Sequence, residues 1–255
     1  MITPNRRLPR ERASAHQSPR LPLAASPRLW VALCVVASLV VVVLALIARA
    51  HPVLGVDVNF TNTVQHIHMP MFQGLMVFIS ALGYPPWAEI IEAVALVILI
   101  LIRRRLEALF LALTLLADGA AALIKVVVAR PRPSPRQVEV LLRLGSFSFP
   151  SGHVVHFTVF YGFLAVALIT CWRSSWWRNS LIACCAALIA LVGLSRIYLG
   201  EHWLTDVIAG YLIGGVFLVA LVAVYHRMRA RQGGPPAPAS GVETETDTHS
   251  EAVSR

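Results

Sequence analysis

Residues Leu29-Trp-Val-Ala-Leu-Cys-Val-Val-Ala-Ser-Leu-Val-Val-Val-Val-Leu-Ala-Leu-Ile47 form an apolar run without a charged side chain. In a helix that rises about 1.5 Å per residue, this run is long enough to cross a hydrocarbon core about 30 Å thick. Five further apolar stretches follow at 87–102, 106–128, 153–170, 177–194 and 203–225. Of the 255 residues, 57% are hydrophobic and 14% are charged, a balance that is rare in soluble domains. The sequence therefore predicts an all-α fold, a polytopic membrane bundle of six transmembrane helices.

The basic residues predict how this bundle is oriented. With six spans, four basic segments fall on one side: the N-terminal tail, the turn at 103–105, the turn at 173–178 and the segment 227–231. Because Lys and Arg accumulate in cytoplasmic loops, we expect a plasma membrane protein with both termini in the cytoplasm. The connections at 51–85, 129–152 and 195–202 then face outward. The net charge of +9 indicates topology and not a nucleic-acid surface, because the arginines lie beside apolar segments.

The chain divides into one membrane domain and two tails. Residues 1–27 and 229–255 lack hydrophobic periodicity and are rich in polar residues and proline, so we expect disorder there, the first as a basic cytoplasmic tail. Residues 28–228 form the membrane domain. Within it, 51–85 has no Lys or Arg and only scattered apolar residues, which is typical of an interfacial amphipathic segment. This segment either packs on the bundle or shapes a lateral entry for a lipid.

The first outward connection after the third span begins with a cationic motif, Lys125-Val-Val-Val-Ala-Arg130-Pro-Arg132-Pro133-Ser-Pro-Arg136. Its alternating prolines exclude a helix and predict an extended chain. The three arginines are thereby held near the outer end of the bundle, beside the only lysine of the protein. Two interpretations stay open at this point. The cations anchor the chain to lipid headgroups, or they bind a phosphate group.

The same connection ends with Phe149-Pro150-Ser151-Gly152-His153, directly before an apolar stretch. Ser151 is a favourable N-cap residue. The free N–H groups of a first helical turn, together with the helix dipole, attract anions, and a glycine lets a ligand approach the backbone. His153 would project toward that anion site. The alternative is an ordinary capped helix start with an interfacial histidine.

The last outward connection carries Ser195-Arg196-Ile-Tyr-Leu-Gly-Glu-His202-Trp-Leu-Thr-Asp206. On a helix, residues four apart share a face, so we expect Asp206 to accept a hydrogen bond from one ring nitrogen of His202. The other nitrogen would then be a nucleophile. Arg196 can bind an anion in a bidentate manner. The pair could equally be a surface hydrogen bond with no catalytic role.

Taken together and in this order, the three motifs resemble the type 2 phosphatidic acid phosphatase family. That family shares its site with vanadium haloperoxidases and class A bacterial acid phosphatases. Its pattern is Lys, six residues, Arg-Pro, then Pro-Ser-Gly-His, then Ser-Arg, five residues, His, three residues, Asp. Every position of the pattern has its counterpart in this chain, and the resemblance covers roughly residues 85–225.

The resemblance implies a role for each matching residue. His202 would be the nucleophile that forms a phosphohistidine, Asp206 would hold its other ring nitrogen, and His153 would protonate the leaving group. The substrate-binding residues would be Lys125, Arg132, Pro133, Ser151, Gly152 and Arg196. The resemblance implies neither a metal nor another cofactor, because fixed cations neutralise the phosphoryl oxygens.

The predicted function is a membrane-embedded phosphatase with an outward-facing site. Its substrate in the bilayer would be a polyprenyl diphosphate, phosphatidic acid or phosphatidylglycerophosphate. Two alternatives stay open. A vanadate-dependent haloperoxidase could use the same motif residues, although six spans argue against a resemblance to those soluble enzymes. A lipid-phosphate binding or carrier protein would need no intact pair of histidines. The sequence does not predict the head group or the oligomeric state.

Several residues beside the motifs have two possible roles. Asp118 lies seven positions before Lys125 in an apolar stretch, where an acidic residue is either functional or hydrogen-bonded to a neighbouring helix. His156 could support His153 or simply pack between helices. Glu201 could orient a basic neighbour. No role is expected for a second group of residues: Glu89, Glu92, the scattered histidines His51, His66 and His68, and the four cysteines, which have no metal-ligand spacing.

Overall fold

The computed structural model describes residues 26–142 and 145–232, and this part of the chain is entirely helical. It forms nine helices: α1 (Pro27–Ala50), α2 (Gly55–Gln65), α3 (Pro70–Ala81), α4 (Trp87–Leu101), α5 (Arg105–Ala112), α6 (Leu115–Val128), α7 (Gly152–Cys171), α8 (Trp176–Tyr198) and α9 (Leu204–Gln232). The predicted all-α class is confirmed. The predicted disorder of the two tails lies outside the described residues, except at their inner ends. There α1 begins at Pro27, and 229–232 continue α9, where Arg229 donates a hydrogen bond to the Tyr225 hydroxyl one helical turn earlier, at 2.6 Å.

Within residues 26–142 and 145–232, five helical segments are long and apolar enough to cross a membrane. They are α1, α5 together with α6, α7, α8 and α9. The third predicted span is interrupted near its middle, where the Thr114 hydroxyl donates to the Leu111 carbonyl at 2.6 Å and α6 starts anew at Leu115. Helix α4 has 15 residues and is therefore about 22 Å long, which is shorter than the hydrocarbon core. The predicted count of six spans stays a prediction.

Helix α7 is the centre of the bundle. It packs on α6, α8 and α9, and it is buried on several sides through residues such as Val155, Phe157 and Phe163. Helix α1 packs on α9 and leaves Val35, Leu39 and other large apolar side chains exposed. Exposed apolar surface of this extent suits contact with lipid.

Two glycines let α9 approach α7 closely. A Cβ atom on Gly214 would lie 2.7 Å from Cβ of Thr158, and one on Gly210 would lie 2.9 Å from Cβ of Val154. Neither position has space for a side chain. The Gly-x-x-x-Gly spacing in the last span is thus a packing feature.

One end of the bundle collects the three motifs. Helix α6 ends there and α7 begins there, while α8 ends and α9 begins beside them. The proline-rich connection after α6 is not helical, as predicted, and it starts at Ala129 in a left-handed conformation with φ of 52°. The segment 51–85 forms α2 and α3, which pack on α8 at this same end. That segment therefore covers the end of the bundle that carries the motifs.

Candidate active site

A cavity of about 470 Å³ opens between the helix ends and brings most of the predicted site residues together. Six of the nine predicted residues line it: Lys125, Arg132, Gly152, His153, Arg196 and His202. The other three, Pro133, Ser151 and Asp206, are buried behind this surface. The cavity is thus lined by three cationic side chains and by both motif histidines.

Lys125 and Arg132 are held by backbone carbonyl groups of the two connections that meet at the cavity, the one after α6 and the one between α8 and α9. The Lys125 Nζ donates to the Pro150 and Phe147 carbonyls at 2.8 and 3.0 Å. Arg132 donates from Nε to the Ser146 carbonyl and from Nη1 to the Glu201 carbonyl, both at 2.7 Å. No carboxylate neutralises either cation directly in these contacts, so both keep charge for an anionic ligand.

Arg196 is buried and fixed from several directions. It is ion-paired with Glu201 and donates to the Ser80 and Tyr84 hydroxyls, the latter at 2.7 Å. Its guanidinium also lies over the Tyr84 ring, 5.1 Å from the centroid. Glu201 therefore orients a basic neighbour, which was one of its expected roles. The guanidinium cannot turn away from the cavity without losing these contacts.

His202 lies in the short connection between α8 and α9 and is 2% exposed. Its Nε2 lies 3.1 Å from Nη1 of Arg132. Because a guanidinium only donates hydrogen bonds, Nε2 must be the acceptor, and a neutral ring then carries its proton on Nδ1. Burial, followed by the charges of Arg132, Lys125 and Arg196, holds the pKa of His202 well below its usual range. The imidazole is therefore neutral near pH 7, with a lone pair on Nε2.

The direct hydrogen bond predicted between Asp206 and His202 is not formed. Nδ1 of His202 lies 3.6 Å from Oδ2 of Asp206, a distance for an ion pair and not for a hydrogen bond. His202 precedes α9, which begins at Leu204, so the two residues do not share a helical face. Oδ2 instead accepts hydrogen bonds from the Ser148 hydroxyl and from the Trp203 backbone N–H, the latter at 2.9 Å.

Of the three arginines in the proline-rich motif, only Arg132 lines the cavity. Arg136 is exposed outside it, whereas Arg130 is 1% exposed and paired with two carboxylates. One of these is Asp206, and the other is Asp57 of α2, each at 2.6 Å. Arg130 is consequently not available to bind a phosphate group.

Ser151, Gly152 and His153 begin α7 at the edge of the cavity. Ser151 occupies the N-cap position, but its hydroxyl makes no capping hydrogen bond among the described residues. Its backbone N–H donates to the Asp206 carbonyl at 3.1 Å, which ties the starts of α7 and α9 together. A Cβ atom on Gly152 would meet nothing within 4 Å, so the backbone is open to a ligand. Nε2 of His153 has no hydrogen-bond partner in the described part of the chain.

The turn after α3 positions His153, a role that the sequence did not predict. The Tyr84 ring meets the His153 imidazole edge-on, with centroids 4.4 Å apart. A Cβ atom on Gly83 would lie 2.8 Å from Nε2 of His153. Neither residue belongs to a motif. The only sequence signal was Gly83-Tyr84-Pro85-Pro86, which indicates a turn and no chemistry.

A second group of polar residues lines the same cavity. Nδ1 of His156 is 3.0 Å from Oδ2 of Asp118 and 3.4 Å from Oε1 of Glu92. Their ligand atoms lie within 4.8 Å of one another, the one such arrangement found in residues 26–142 and 145–232 that could hold a metal ion. Asp118 is thus hydrogen-bonded to a neighbouring helix. His156 is hydrogen-bonded to Asp118 and lies close to Glu92, and it does not support His153.

The sequence of this protein has recognisable relatives. The PAP2 superfamily profile matches residues 106–230. A lipid A 4'-phosphatase from Porphyromonas gingivalis is 29% identical over 202 residues, which are 73% of this chain and 80% of the relative. A phosphatidylglycerophosphatase B from Bacillus subtilis is 36% identical over 40% of this chain and 51% of its own length. An undecaprenyl-diphosphatase from Sulfolobus acidocaldarius is 28% identical over 63% of this chain and 74% of the relative.

Two crystal structures resemble the fold. One is a transmembrane PAP2-type phosphatidylglycerolphosphate phosphatase from Bacillus subtilis, with a TM-score of 0.65, 25% identity, and coverage of 76% of this chain and 96% of that one. The other is LpxE from Aquifex aeolicus, with a TM-score of 0.52, 20% identity, and coverage of 67% and 96%, a likeness of fold alone. All three motifs are present, six of their residues surround one cavity, and the segment 106–230 of this chain matches the PAP2 superfamily.

Proposed function

We propose that this protein is a membrane lipid phosphatase that releases phosphate from a lipid phosphate or diphosphate through a phosphohistidine on His202. One observation carries the proposal. Three cationic side chains, Lys125, Arg132 and Arg196, line the same cavity as the two motif histidines, between helices that are long and apolar enough to cross a membrane. A phosphate ester with a charge near −2 suits this set of fixed donors, because phosphoryl transfer depends on positioning and charge neutralisation.

In the first step, the lone pair on Nε2 of His202 attacks phosphorus. Arg132 donates to this nitrogen in the free protein and turns its N–H groups to the phosphoryl oxygens when substrate binds. The bond from phosphorus to the leaving oxygen breaks, and that oxygen takes a proton from His153. His202 keeps its Nδ1 proton and becomes a cation, which the carboxylate of Asp206 stabilises from 3.6 Å.

In the second step, water replaces the leaving group. His153, now neutral, takes a proton from this water as the oxygen attacks phosphorus. The bond between phosphorus and Nε2 breaks, and the electron pair returns to His202. The cationic side chains and the N–H groups at the start of α7 hold the phosphoryl oxygens in both steps. None of these steps requires a metal ion.

The bilayer supplies the substrate in this proposal. The relatives are phosphatases of lipid A, phosphatidylglycerophosphate and undecaprenyl diphosphate, which share a phosphate on a lipid and differ elsewhere. We therefore propose the shared chemistry and not one head group. Exposed apolar side chains surround the bundle, so the lipid tail can stay in the membrane while its phosphate enters the cavity.

We further propose six crossings, with the site on the outer side of the plasma membrane and both termini in the cytoplasm. A contact supports this count: Arg49 at the end of α1 donates to the Val127 carbonyl at the end of α6, at 2.8 Å. The start of α5 lies at the opposite end, where Arg104 reaches the Cys171 carbonyl. These two contacts support a passage of the chain from one end of the bundle to the other between α1 and α5, which we assign to α4.

The proposal is tested by phosphate release from purified protein in detergent micelles, with EDTA present. The panel contains phosphatidic acid, phosphatidylglycerophosphate, undecaprenyl diphosphate, lipid A and a soluble phosphate ester. We expect the wild type to release phosphate from at least one lipid, and His202→Ala to lose activity at least about 10³-fold while it still binds that lipid. A folded wild-type protein that is inactive on the whole panel, or a fully active His202→Ala variant, contradicts the proposal.

A further inference from the structure

Asp57 of α2 lies outside all three motifs and outside the matched residues 106–230. It is the only acidic residue between positions 51 and 85, and its exposure is 0%. A carboxylate that is fully buried needs specific partners, because its desolvation is otherwise costly. The partners of Asp57 are Thr205 and Arg130, which hold the proposed catalytic residue Asp206.

The two carboxylate oxygens of Asp57 have separate partners. Oδ1 accepts a hydrogen bond from the Thr205 backbone N–H at 2.9 Å. Oδ2 accepts from the Thr205 hydroxyl at 2.9 Å and from Nη2 of Arg130 at 2.6 Å. Thr205 is the residue before Asp206, so Asp57 binds the first turn of the helix that carries Asp206.

Arg130 connects Asp57 to Asp206. Its Nη1 donates to Oδ1 of Asp206 at 2.6 Å and to the Thr205 hydroxyl at 2.7 Å, while its Nε donates to the Pro52 carbonyl at 2.9 Å. The guanidinium is thus held between two carboxylates and cannot rotate freely. It occupies Oδ1 of Asp206, and this leaves Oδ2 as the oxygen that lies toward His202.

The charges of these three buried groups do not cancel. Two carboxylates share one guanidinium, and the sum is one net negative charge beside His202. Without Asp57, Arg130 and Asp206 would form a neutral pair. A nucleophilic imidazole becomes cationic when its Nε2 bonds to phosphorus, so the remaining negative charge stabilises the phosphohistidine and the transition state before it.

We propose that Asp57 is a positioning residue for phosphoryl transfer: through Arg130 it fixes the orientation of Asp206 and preserves the net negative charge that His202 needs. This inference rests on the proposed function of His202. Asp57 touches neither the substrate nor the reacting atoms. Its effect is therefore expected on the chemical step and not on substrate binding.

The first test is Asp57→Asn in the full-length protein, because the amide keeps the shape and removes the charge. We expect kcat to fall about 10- to 100-fold while KM changes less than about twofold, as for other changes that misplace a reacting group slightly. The matched control is Glu139→Gln, the same chemical change at an exposed position outside the cavity. Its kcat and KM should equal those of the wild type.

A double-mutant cycle tests the route through Arg130. If Asp57 acts by holding Arg130, adding Asp57→Asn to Arg130→Gln should cost less than about twofold further in kcat, since the two effects are then coupled. Multiplicative losses would overturn this route. If Asp57→Asn does not fold, Thr205→Ala replaces it, because this variant removes the hydroxyl that bridges Asp57 and Arg130 and leaves the charges of both residues in place. We expect it to lower kcat about 3- to 10-fold at constant KM.

The outcomes separate this inference from the proposed function. A wild-type protein that turns over no lipid phosphate removes the proposed function and this inference with it. A wild-type protein that is active, together with a folded Asp57→Asn variant of unchanged kcat, overturns the role of Asp57 alone. A rise in KM at constant kcat would also overturn it, because that result indicates substrate binding.

Discussion

The Tyr84 ring lies edge-on against the His153 imidazole, with centroids 4.4 Å apart. The residue before Tyr84 is Gly83, which also faces this imidazole and has no space for a side chain. The proposed general acid is therefore oriented by a turn that comes from a different part of the chain. His153 lies in the first turn of α7, but the shape of its surroundings comes from the residues after α3.

Gly83→Ala should impair catalysis by displacing His153. Its Cβ would lie 2.8 Å from Nε2 of that ring and 2.9 Å from Cε2 of Phe157, so the imidazole must move. A displacement of about 1 Å of a reacting group costs about 10²-fold in rate, and we expect a loss of that size in kcat. Gly74→Ala in α3 is the control, because its Cβ meets nothing within 4 Å. Steady-state phosphate release measures both, and equal rates would contradict the role of Gly83.

Arg132→Ala should change the pH dependence of the enzyme. Arg132 is one of the cations that lower the pKa of His202, so its removal raises that pKa, although burial still lowers it. Activity that needs the neutral imidazole is then lost at a higher pH, and the acid limb of kcat/KM moves upward. The control is Arg136→Ala, an exposed arginine in the same connection. An acid limb that stays in place or moves downward in Arg132→Ala argues against His202 as the nucleophile.

Gly214→Ala should destabilise the contact between α7 and α9. The new Cβ would lie 2.7 Å from Cβ of Thr158, and overpacking of this kind typically costs about 1–3 kcal/mol. A Cβ atom on the neighbouring Gly215 would meet nothing within 4 Å, so Gly215→Ala is a matched control that should be neutral or stabilising. Thermal unfolding in detergent compares the two. Equal Tm values would contradict this prediction and would mean that α7 moves at Thr158 to accommodate the added methyl group.

Cysteine labelling can test the proposed six crossings. In a variant without the four native cysteines, Arg136→Cys should react with an impermeant maleimide added outside intact cells, because the connection after α6 faces outward in the proposed topology. Arg104→Cys should react only after the membrane is opened. Both positions are exposed in the bundle. Labelling of Arg104→Cys from outside would mean that α4, with its 15 residues, does not cross.

The sequence by itself determined the class of the protein and most of the candidate site. Apolar runs that are long enough to cross a bilayer predict helices, because a helix satisfies the backbone N–H and C=O groups within the segment itself. The motif residues at the ends of those runs indicated phosphate chemistry. Because consecutive spanning helices alternate in direction, the end of one helix and the start of the next lie on the same side of the membrane. Lys125, His153, Arg196 and His202 could thus be predicted to meet without any knowledge of their contacts.

Only the tertiary structure decided what holds these residues in place. Tyr84 contacts both His153 and Arg196, and Asp57 holds Arg130 behind the site; both residues come from segments far away in the chain. Arg130 and Arg132 are two positions apart and look alike in sequence, yet one is buried between carboxylates and the other lines the cavity. The physical reason is that the charge of a side chain follows from its type, whereas its partner and its burial follow from long-range packing that local spacing does not encode.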